Sequence, residues 1–257
     1  MSRRTRLLAA GLTLSLAGSL TACGGSKDGD ASSSSTTITV LAASSLTGSF
    51  TELAHEFEKD HPGVTVKLAL DSSATLAQQA LDGAPADVLA TADTATMDGA
   101  GDAVAEGPTD FATNTMVLVV PSDNPAGIGQ FSDIANPGVS FIACVQTAPC
   151  GKVAAALLDD NAITTPAVSL EVDVKSVLSK VTTDEADAGF VYATDAVAAG
   201  DQVTSFDIPH AAEEITTYPI ATLKQSKNAD LAKQFMDLVL GSQGQQVLAD
   251  AGFSPAP

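Results

Sequence analysis

The alternation of apolar and polar positions predicts three successive β–turn–α units at the start of the folded chain. Residues 37–41 form an apolar, β-branched run typical of a buried strand, and apolar side chains then recur at helical spacing until a His-Pro-Gly sequence. Strict alternation over residues 64–70 predicts a second strand, which leads into a helix over 75–81. A third strand is predicted over 86–90, with a helix after Asp93.

Strands separated by helices also fill the rest of the chain, and this order favours mostly parallel sheets with helices on both faces. Because the pattern restarts after the first three units, we expect an α/β fold with two lobes and a cleft between them. Ligands bind at the carboxyl ends of the strands in such sheets. The remaining predicted elements are strands over 116–120, 139–143 and 188–192, an extended segment over 215–223, a helix over 152–158, and an amphipathic helix from Leu231 to Val239 with Asn228 as its N-cap.

Two pairs of adjacent serines lie where a predicted strand ends and a helix begins. They are Ser44-Ser45 and Ser72-Ser73. The first turn of a helix leaves backbone N–H groups without an intrahelical partner, so a neutral hydroxyl beside them can help to build an oxyanion site. The alternative for each pair is an ordinary N-cap, a position that favours serine.

The N-terminus has the features of an export signal. Arg3, Arg4 and Arg6 precede an apolar run over residues 7–22. This run is shorter than the roughly 20 residues that a membrane-spanning helix needs. We therefore expect a signal peptide over residues 1–22, followed by a flexible Gly- and Ser-rich tether over 23–36.

Residues 20–23, Leu-Thr-Ala-Cys, resemble a bacterial lipobox. The resemblance implies cleavage before Cys23 and attachment of a diacylglyceryl group to its thiol. The exported protein would then be anchored on the outer face of the cytoplasmic membrane. An uncleaved anchor and an incidental cysteine are the alternatives.

The chain is strongly acidic, with a formal net charge of −19. Without the three arginines of the leader, 9 Lys and Arg stand against 31 Asp and Glu, which gives −22. So negative a surface disfavours nucleic acids and anionic lipids as partners. It also favours a soluble monomer.

The motifs that would indicate an enzyme or a cation site are missing from the sequence. There is no G-x-S-x-G elbow and no C-x-x-C, and residues 150–153 lack the other positions of a phosphate-binding P-loop. The three histidines, His55, His61 and His210, show no metal-ligand spacing. Cys144 and Cys150 form a disulfide or remain two buried thiols, and the oxidising exterior favours the disulfide.

Four segments, taken together, resemble the molybdate-binding proteins of ABC importers. The resemblance runs from about Ile38 to Phe253 and implies a two-lobed, type II periplasmic-binding-protein fold. The implied fold has mixed, mostly parallel sheets flanked by helices, with lobe 1 over residues 37–115 and 219–257 and lobe 2 over 116–218. The four segments are residues 42–47 (Ala-Ala-Ser-Ser-Leu-Thr), 72–77 (Ser-Ser-Ala-Thr-Leu-Ala), 83–88 (Gly-Ala-Pro-Ala-Asp-Val) and 191–196 (Val-Tyr-Ala-Thr-Asp-Ala).

The resemblance also implies a ligand and its binding residues. The ligand is the tetrahedral oxyanion molybdate, and also tungstate, so the metal arrives as an oxyanion and no cation site or cofactor is expected. Molybdate carries no proton at neutral pH, so a site made only of donors is better suited to molybdate than to phosphate, which carries a proton. The implied donors are the hydroxyl and N–H groups of Ser45 and Ser73, the phenol of Tyr192, and the N–H groups of Cys150 and Val174.

The implied function is an exported receptor that captures the oxyanion by lobe closure and delivers it to an ABC permease, without catalysis. The alternatives are a receptor for another oxyanion such as sulfate and a secreted serine hydrolase that uses Ser45 or Ser73. The chain departs from the better-known members at Cys150, where they have alanine, and at Asp71, where they lack a carboxylate. Because a carboxylate would repel a dianion, we expect Asp71 to face away from the cleft.

Overall fold

The computed structural model describes residues 35–257. The predicted signal peptide, the lipidation of Cys23 and most of the predicted tether therefore lie outside the described residues. Within residues 35–257, no helix has the length and apolar character needed to cross a bilayer.

Eleven strands occur in residues 35–257. They are β1 (Thr36–Ala43), β2 (Val64–Asp71), β3 (Val88–Ala90), β4 (Thr109–Asn114), β5 (Met116–Pro121), β6 (Phe141–Cys144), β7 (Ser169–Glu171), β8 (Ala188–Tyr192), β9 (Val203–Asp207), β10 (Thr216–Thr222) and β11 (Ser254–Pro255).

The described part of the chain also contains eight α-helices, most of which follow directly after a strand. They are α1 (Thr47–Asp60), α2 (Ser73–Leu81), α3 (Thr94–Gly99), α4 (Pro149–Asp160), α5 (Val174–Thr182), α6 (Ala193–Ala199), α7 (Ala229–Leu240) and α8 (Ser242–Asp250).

The strands form two sheets. The first has the order β11-β4-β10-β3-β1-β2, and the second has the order β7-β6-β8-β5-β9. We call the first sheet with its helices half 1 and the second with its helices half 2. The predicted α/β class with two helix-flanked sheets is confirmed.

The sheets are more evenly mixed than the predicted, mostly parallel ones. Four strand pairs are parallel and five are antiparallel. The two strands that follow a crossing between the halves, β5 and β10, account for four of the antiparallel pairs, and β11 with β4 forms the fifth. β10 begins at Thr216, ahead of the predicted lobe boundary at residue 219.

Asn228 occupies the N-cap position of α7, as predicted, but its side chain does not cap the helix. Its amide Nδ2 instead donates a hydrogen bond to the carbonyl oxygen of Thr37 at 3.1 Å. The start of α7 is therefore attached to the first strand of half 1.

An aromatic cluster holds the C-terminal helices on half 1. The ring of Phe235, on α7, lies 6.0 Å from that of Phe50 and 5.5 Å from that of Phe57, both on α1. Phe111, on β4, packs against Phe50 at 5.9 Å. The end of the chain thus returns to the sheet in which it began.

Replacing Phe235 by alanine should therefore lower the free energy of unfolding by about 3–5 kcal/mol, because the fully buried ring leaves a cavity. Urea denaturation measures the loss. Leu81→Ala is the control, since that side chain is 42% exposed and its loss should cost much less. A loss below about 1 kcal/mol for Phe235→Ala would contradict the assigned role of the cluster.

Candidate functional site

A small cavity lies between the two halves. Its walls come from the carboxyl ends of strands β1, β2 and β3 in half 1, and from the segments after β6, β7 and β8 in half 2. This is where ligands bind in open α/β sheets. The lining residues are Ala43, Ser44, Ser45, Ser72, Ser73, Ala92, Ala148, Pro149, Cys150, Asp173, Val174 and Tyr192.

The structure brings all five predicted binding residues to this cavity. Ser45 lies in a 3-10 turn after β1, and Ser73 is the first residue of α2. Cys150 and Val174 lie in the first turns of α4 and α5, and Tyr192 is the last residue of β8. Their contact with a ligand stays a prediction.

Backbone N–H groups from both halves converge on the cavity. The N–H groups of Ser73, Cys150 and Val174 stand in the first turns of their helices, where no intrahelical acceptor exists. Each helix start carries a partial positive charge. The cavity therefore favours a negative ligand, although no basic side chain lines it.

Ser72 occupies the N-cap position of α2, but no serine side chain of either pair makes a capping hydrogen bond in the described residues. The Oγ of Ser45 lies 3.0 Å from the Oη of Tyr218. The Oγ of Ser73 accepts a hydrogen bond from the N–H of Ala92 at 2.9 Å. Because Ser73 accepts in this bond, its own hydroxyl proton is available for the cavity.

The phenol of Tyr192 is an unpaired hydrogen-bond donor in the described part of the chain. The residue is buried, and its Oη has no hydrogen-bond partner within residues 35–257. Burial raises the pKa of Tyr192 well above the usual 10.0, and the nearby Tyr218 and Asp93 raise it further. The phenol is therefore neutral and able to donate at physiological pH.

Tyr218 contacts two of the predicted binding residues, Ser45 and Tyr192, a role that the sequence did not indicate. It lies on β10, is fully buried, and stacks edge-on against Tyr192 with 6.0 Å between ring centroids. Burial raises the pKa of Tyr218 above its usual value. A neutral phenol can donate to the Oγ of Ser45, which leaves the serine proton free to point toward the cavity.

A disulfide and a glycine fix the start of α4. The structure joins Cys144, at the end of β6, to Cys150, with 5.7 Å between their Cα atoms. A Cβ on Gly151 would overlap the carbonyl oxygen of Val145, so only glycine allows this close approach. Together they hold the N–H of Cys150 at the cavity wall.

The carboxylate at the cavity is Asp173, which sequence reasoning missed. Its Oδ1 accepts a hydrogen bond from the N–H of Ser176 at 2.8 Å and so caps α5. Asp71 does not line the cavity, and its Oδ1 accepts from the N–H of Ser72 at 2.6 Å. The expectation that Asp71 faces away from the cleft agrees with this geometry.

A buried ion pair joins the Tyr192 turn to the start of α5. Asp195 is fully buried, and its Oδ2 accepts from the N–H of Tyr192 at 3.2 Å. Its Oδ1 lies 2.8 Å from the Nζ of Lys175, the residue after Val174. Burial raises the pKa of Asp195, while the Lys175 ammonium acts in the opposite direction.

Residues 35–257 contain no group of three or more His, Cys, Asp and Glu side chains that could hold a metal ion. The cavity instead offers hydroxyl and N–H donors. Such a set favours an anionic ligand.

Comparison with known proteins gives one consistent result. Residues 38–254 match the model of the bacterial extracellular solute-binding protein family. The molybdate-binding protein ModA of Mycobacterium tuberculosis is 40% identical over 245 residues, which cover 93% of this chain and 94% of that protein. ModA of Escherichia coli is 32% identical, with coverage of 84% and 88%.

A solved structure supports the same fold. The periplasmic molybdate-binding protein of Azotobacter vinelandii superposes with a TM-score of 0.75 over 86% of this chain and 100% of that one. At 20% sequence identity this likeness concerns the fold alone. The resemblance indicated by the four sequence segments is confirmed, and so is the prediction of a binding protein rather than an enzyme, because the relatives are solute-binding proteins.

The two tyrosines, the only ones in the chain, should ionise only when the protein unfolds. Burial raises both pKa values above 10.0, so the native protein should show no tyrosinate absorbance at pH 10, where a free tyrosine is about half ionised. In denaturant both should titrate near pH 10. A spectrophotometric titration measures this directly, since the chain has no tryptophan.

The raised pKa values of the two tyrosines also determine how the free energy of unfolding changes with pH. Because the folded-state pKa values are raised, the stability contributed by the neutral phenols is complete below about pH 10 and is lost as the pH rises further. Ionisation of either tyrosine near pH 10 in the folded protein would contradict the buried, neutral phenols.

Proposed function

Because this chain belongs to the bacterial extracellular solute-binding proteins, we propose that it is a receptor that captures molybdate, and also tungstate, for an ABC importer. The observation that carries the proposal is the donor-rich cavity, with an unpartnered phenol and helix starts from both halves. The 40% identical relative from M. tuberculosis, named as molybdate-binding, supports the same ligand.

A dianion that leaves water must exchange its hydration shell for protein donors. Each ligand oxygen or buried donor left unpaired costs about 1–3 kcal/mol. We assign the hydroxyls of Ser45 and Ser73, the phenol of Tyr192, and the N–H groups of both serines, Cys150 and Val174 to these oxygens. The helix starts add about 0.3–1 kcal/mol each, and up to ~2 when partly buried.

We propose that the excess of donors over acceptors at the cavity disfavours phosphate. Phosphate carries a proton at neutral pH, and that proton requires an acceptor. The one carboxylate in the lining, Asp173, uses its Oδ1 to accept from the N–H of Ser176 and so caps α5. Sulfate has the same charge and shape as molybdate, so the size of the closed cavity must separate the two.

The geometry disfavours the serine hydrolase. A serine nucleophile needs an adjacent general base. In residues 35–257, Ser45 is bonded to a phenol and Ser73 to a backbone N–H, and neither hydroxyl is bonded to a histidine or a carboxylate.

The family is extracellular, so the chain is exported. We further propose that Cys23 is the lipid attachment site and that the receptor is a monomer on the outer face of the cytoplasmic membrane. Its acidic surface would repel both a second copy and anionic lipid.

A thermal-shift panel with molybdate, tungstate, sulfate and phosphate tests the ligand. A ligand present at 100 times its Kd stabilises the native state by about 2.7 kcal/mol. For a protein of this size that corresponds to a rise in Tm of roughly 5–10 °C. Molybdate and tungstate should produce this rise and phosphate none. No shift with molybdate, or a larger shift with sulfate, would refute the assignment.

Truncating the donors tests the binding residues. Tyr192→Phe and Ser73→Ala should each weaken molybdate binding by roughly 10- to 100-fold, because a hydrogen bond to a charged group is worth about 1.5–3 kcal/mol. Isothermal titration calorimetry measures the change. Ser132→Ala, at an exposed serine far from the cavity, is the matched control and should bind like the wild type. Unchanged affinity in Tyr192→Phe would remove the phenol from the site.

A further inference from the structure

One ion pair joins the two halves of the molecule. The Nζ of Lys152, on α4, lies 2.7 Å from the Oδ2 of Asp93, at the start of α3. Six side-chain ion pairs occur in residues 35–257, and the other five lie within one helix, one turn or one half. Lys152 and Asp93 thus form the single ionic bridge across the cleft in the described part of the chain.

This bridge stands at the solvent edge of the cavity. Asp93 follows Ala92, and Lys152 lies two residues beyond Cys150, and both of these neighbours line the cavity. The Lys152 side chain is 44% exposed and the Asp93 side chain 17%. The charge of Asp93 also contributes to the raised pKa of Tyr192, so it acts on the cavity itself.

The two partners differ in how firmly they are held. The Oδ1 of Asp93 accepts a hydrogen bond from the N–H of Thr96 at 2.7 Å and thereby caps α3. Asp93 is therefore fixed in half 1 whether or not the bridge exists. Lys152 reaches it with a long, flexible side chain from half 2, so separation of the halves breaks the bridge and releases the ammonium group.

We propose that Lys152 and Asp93 control the entry and release of the oxyanion, an inference that rests on the proposed function. In the open cleft, the free ammonium of Lys152 attracts a dianion toward an otherwise acidic protein. In the closed cleft, the ammonium pairs with Asp93, neutralises a carboxylate close to the ligand and holds the halves together.

A double-mutant cycle measured by stopped-flow tyrosine fluorescence with molybdate tests the pair. Asp93→Asn removes the charge but keeps a good helix cap, and Lys152→Met keeps most of the apolar stem. Each variant should release molybdate about two- to fivefold faster, the range for a partly exposed pair. The double variant should be no faster than either single one.

The association rates should change in opposite directions. Lys152→Met should slow association, because the attracting cation is gone, and Asp93→Asn should speed it. Both effects should disappear at about 0.5 M salt, where charges are screened over a few ångströms. Additive effects on release, or association rates that do not change in opposite directions, would overturn the proposal.

The Lys233–Asp237 pair on α7 provides a matched control. Its Nζ–Oδ1 distance is 2.8 Å, and both side chains are exposed within one helix. Lys233→Met and Asp237→Asn change the net charge by the same amounts and should leave both rates unchanged. If they change association as much as the cleft variants do, net charge is the cause and the proposal fails.

A measurement without ligand separates this proposal from the proposed function. If the wild type gives no signal with molybdate, the ligand assignment fails, while the bridge can still be judged by small-angle X-ray scattering of the unliganded protein. At low salt the bridge should keep part of the unliganded wild type closed, so its mean radius of gyration should be smaller than those of Asp93→Asn and Lys152→Met. Equal radii in that case would overturn the bridge as well.

Discussion

The unpaired N–H groups at the starts of helices are the constraint on which this structure depends. The first turns of α2, α4 and α5 all lie at the same cavity, so their N–H groups converge on the cleft from both halves. Such donors are costly to bury without a partner. Under the proposed function, one anion accepts from both halves at once, which would couple ligand binding to closure of the cleft.

Neutral side chains add hydrogen-bond donors to those that the backbone N–H groups provide. Tyr218 reaches the site from the strand that returns to half 1, and its phenol places the hydroxyl of Ser45. Asp195 links the N–H of Tyr192 to Lys175, beside the start of α5. Asp195 and Lys175 do not line the cavity, and they hold the turn of Tyr192 against the start of α5.

Most of the fold could be predicted from the sequence, because apolar runs such as residues 37–41 and 188–192 form strands whichever sheet they pack in. Strand β4 was not predicted, since Phe111 and Ala112 are its only apolar residues and its place depends on pairing with β10 and β11. The five predicted binding residues came from motifs. Tyr218 and the Asp93–Lys152 bridge did not, because both join segments that are distant in the chain and carry no local signal.

The bond between Cys144 and Cys150 has a consequence for when the protein becomes active. Disulfides do not persist in the reducing cytosol. A newly made chain that is still inside the cell would therefore lack the bond between β6 and the first turn of α4. Under the proposed function, the N–H of Cys150 would be fixed at the cavity only after export, on the side of the membrane where the solute is collected.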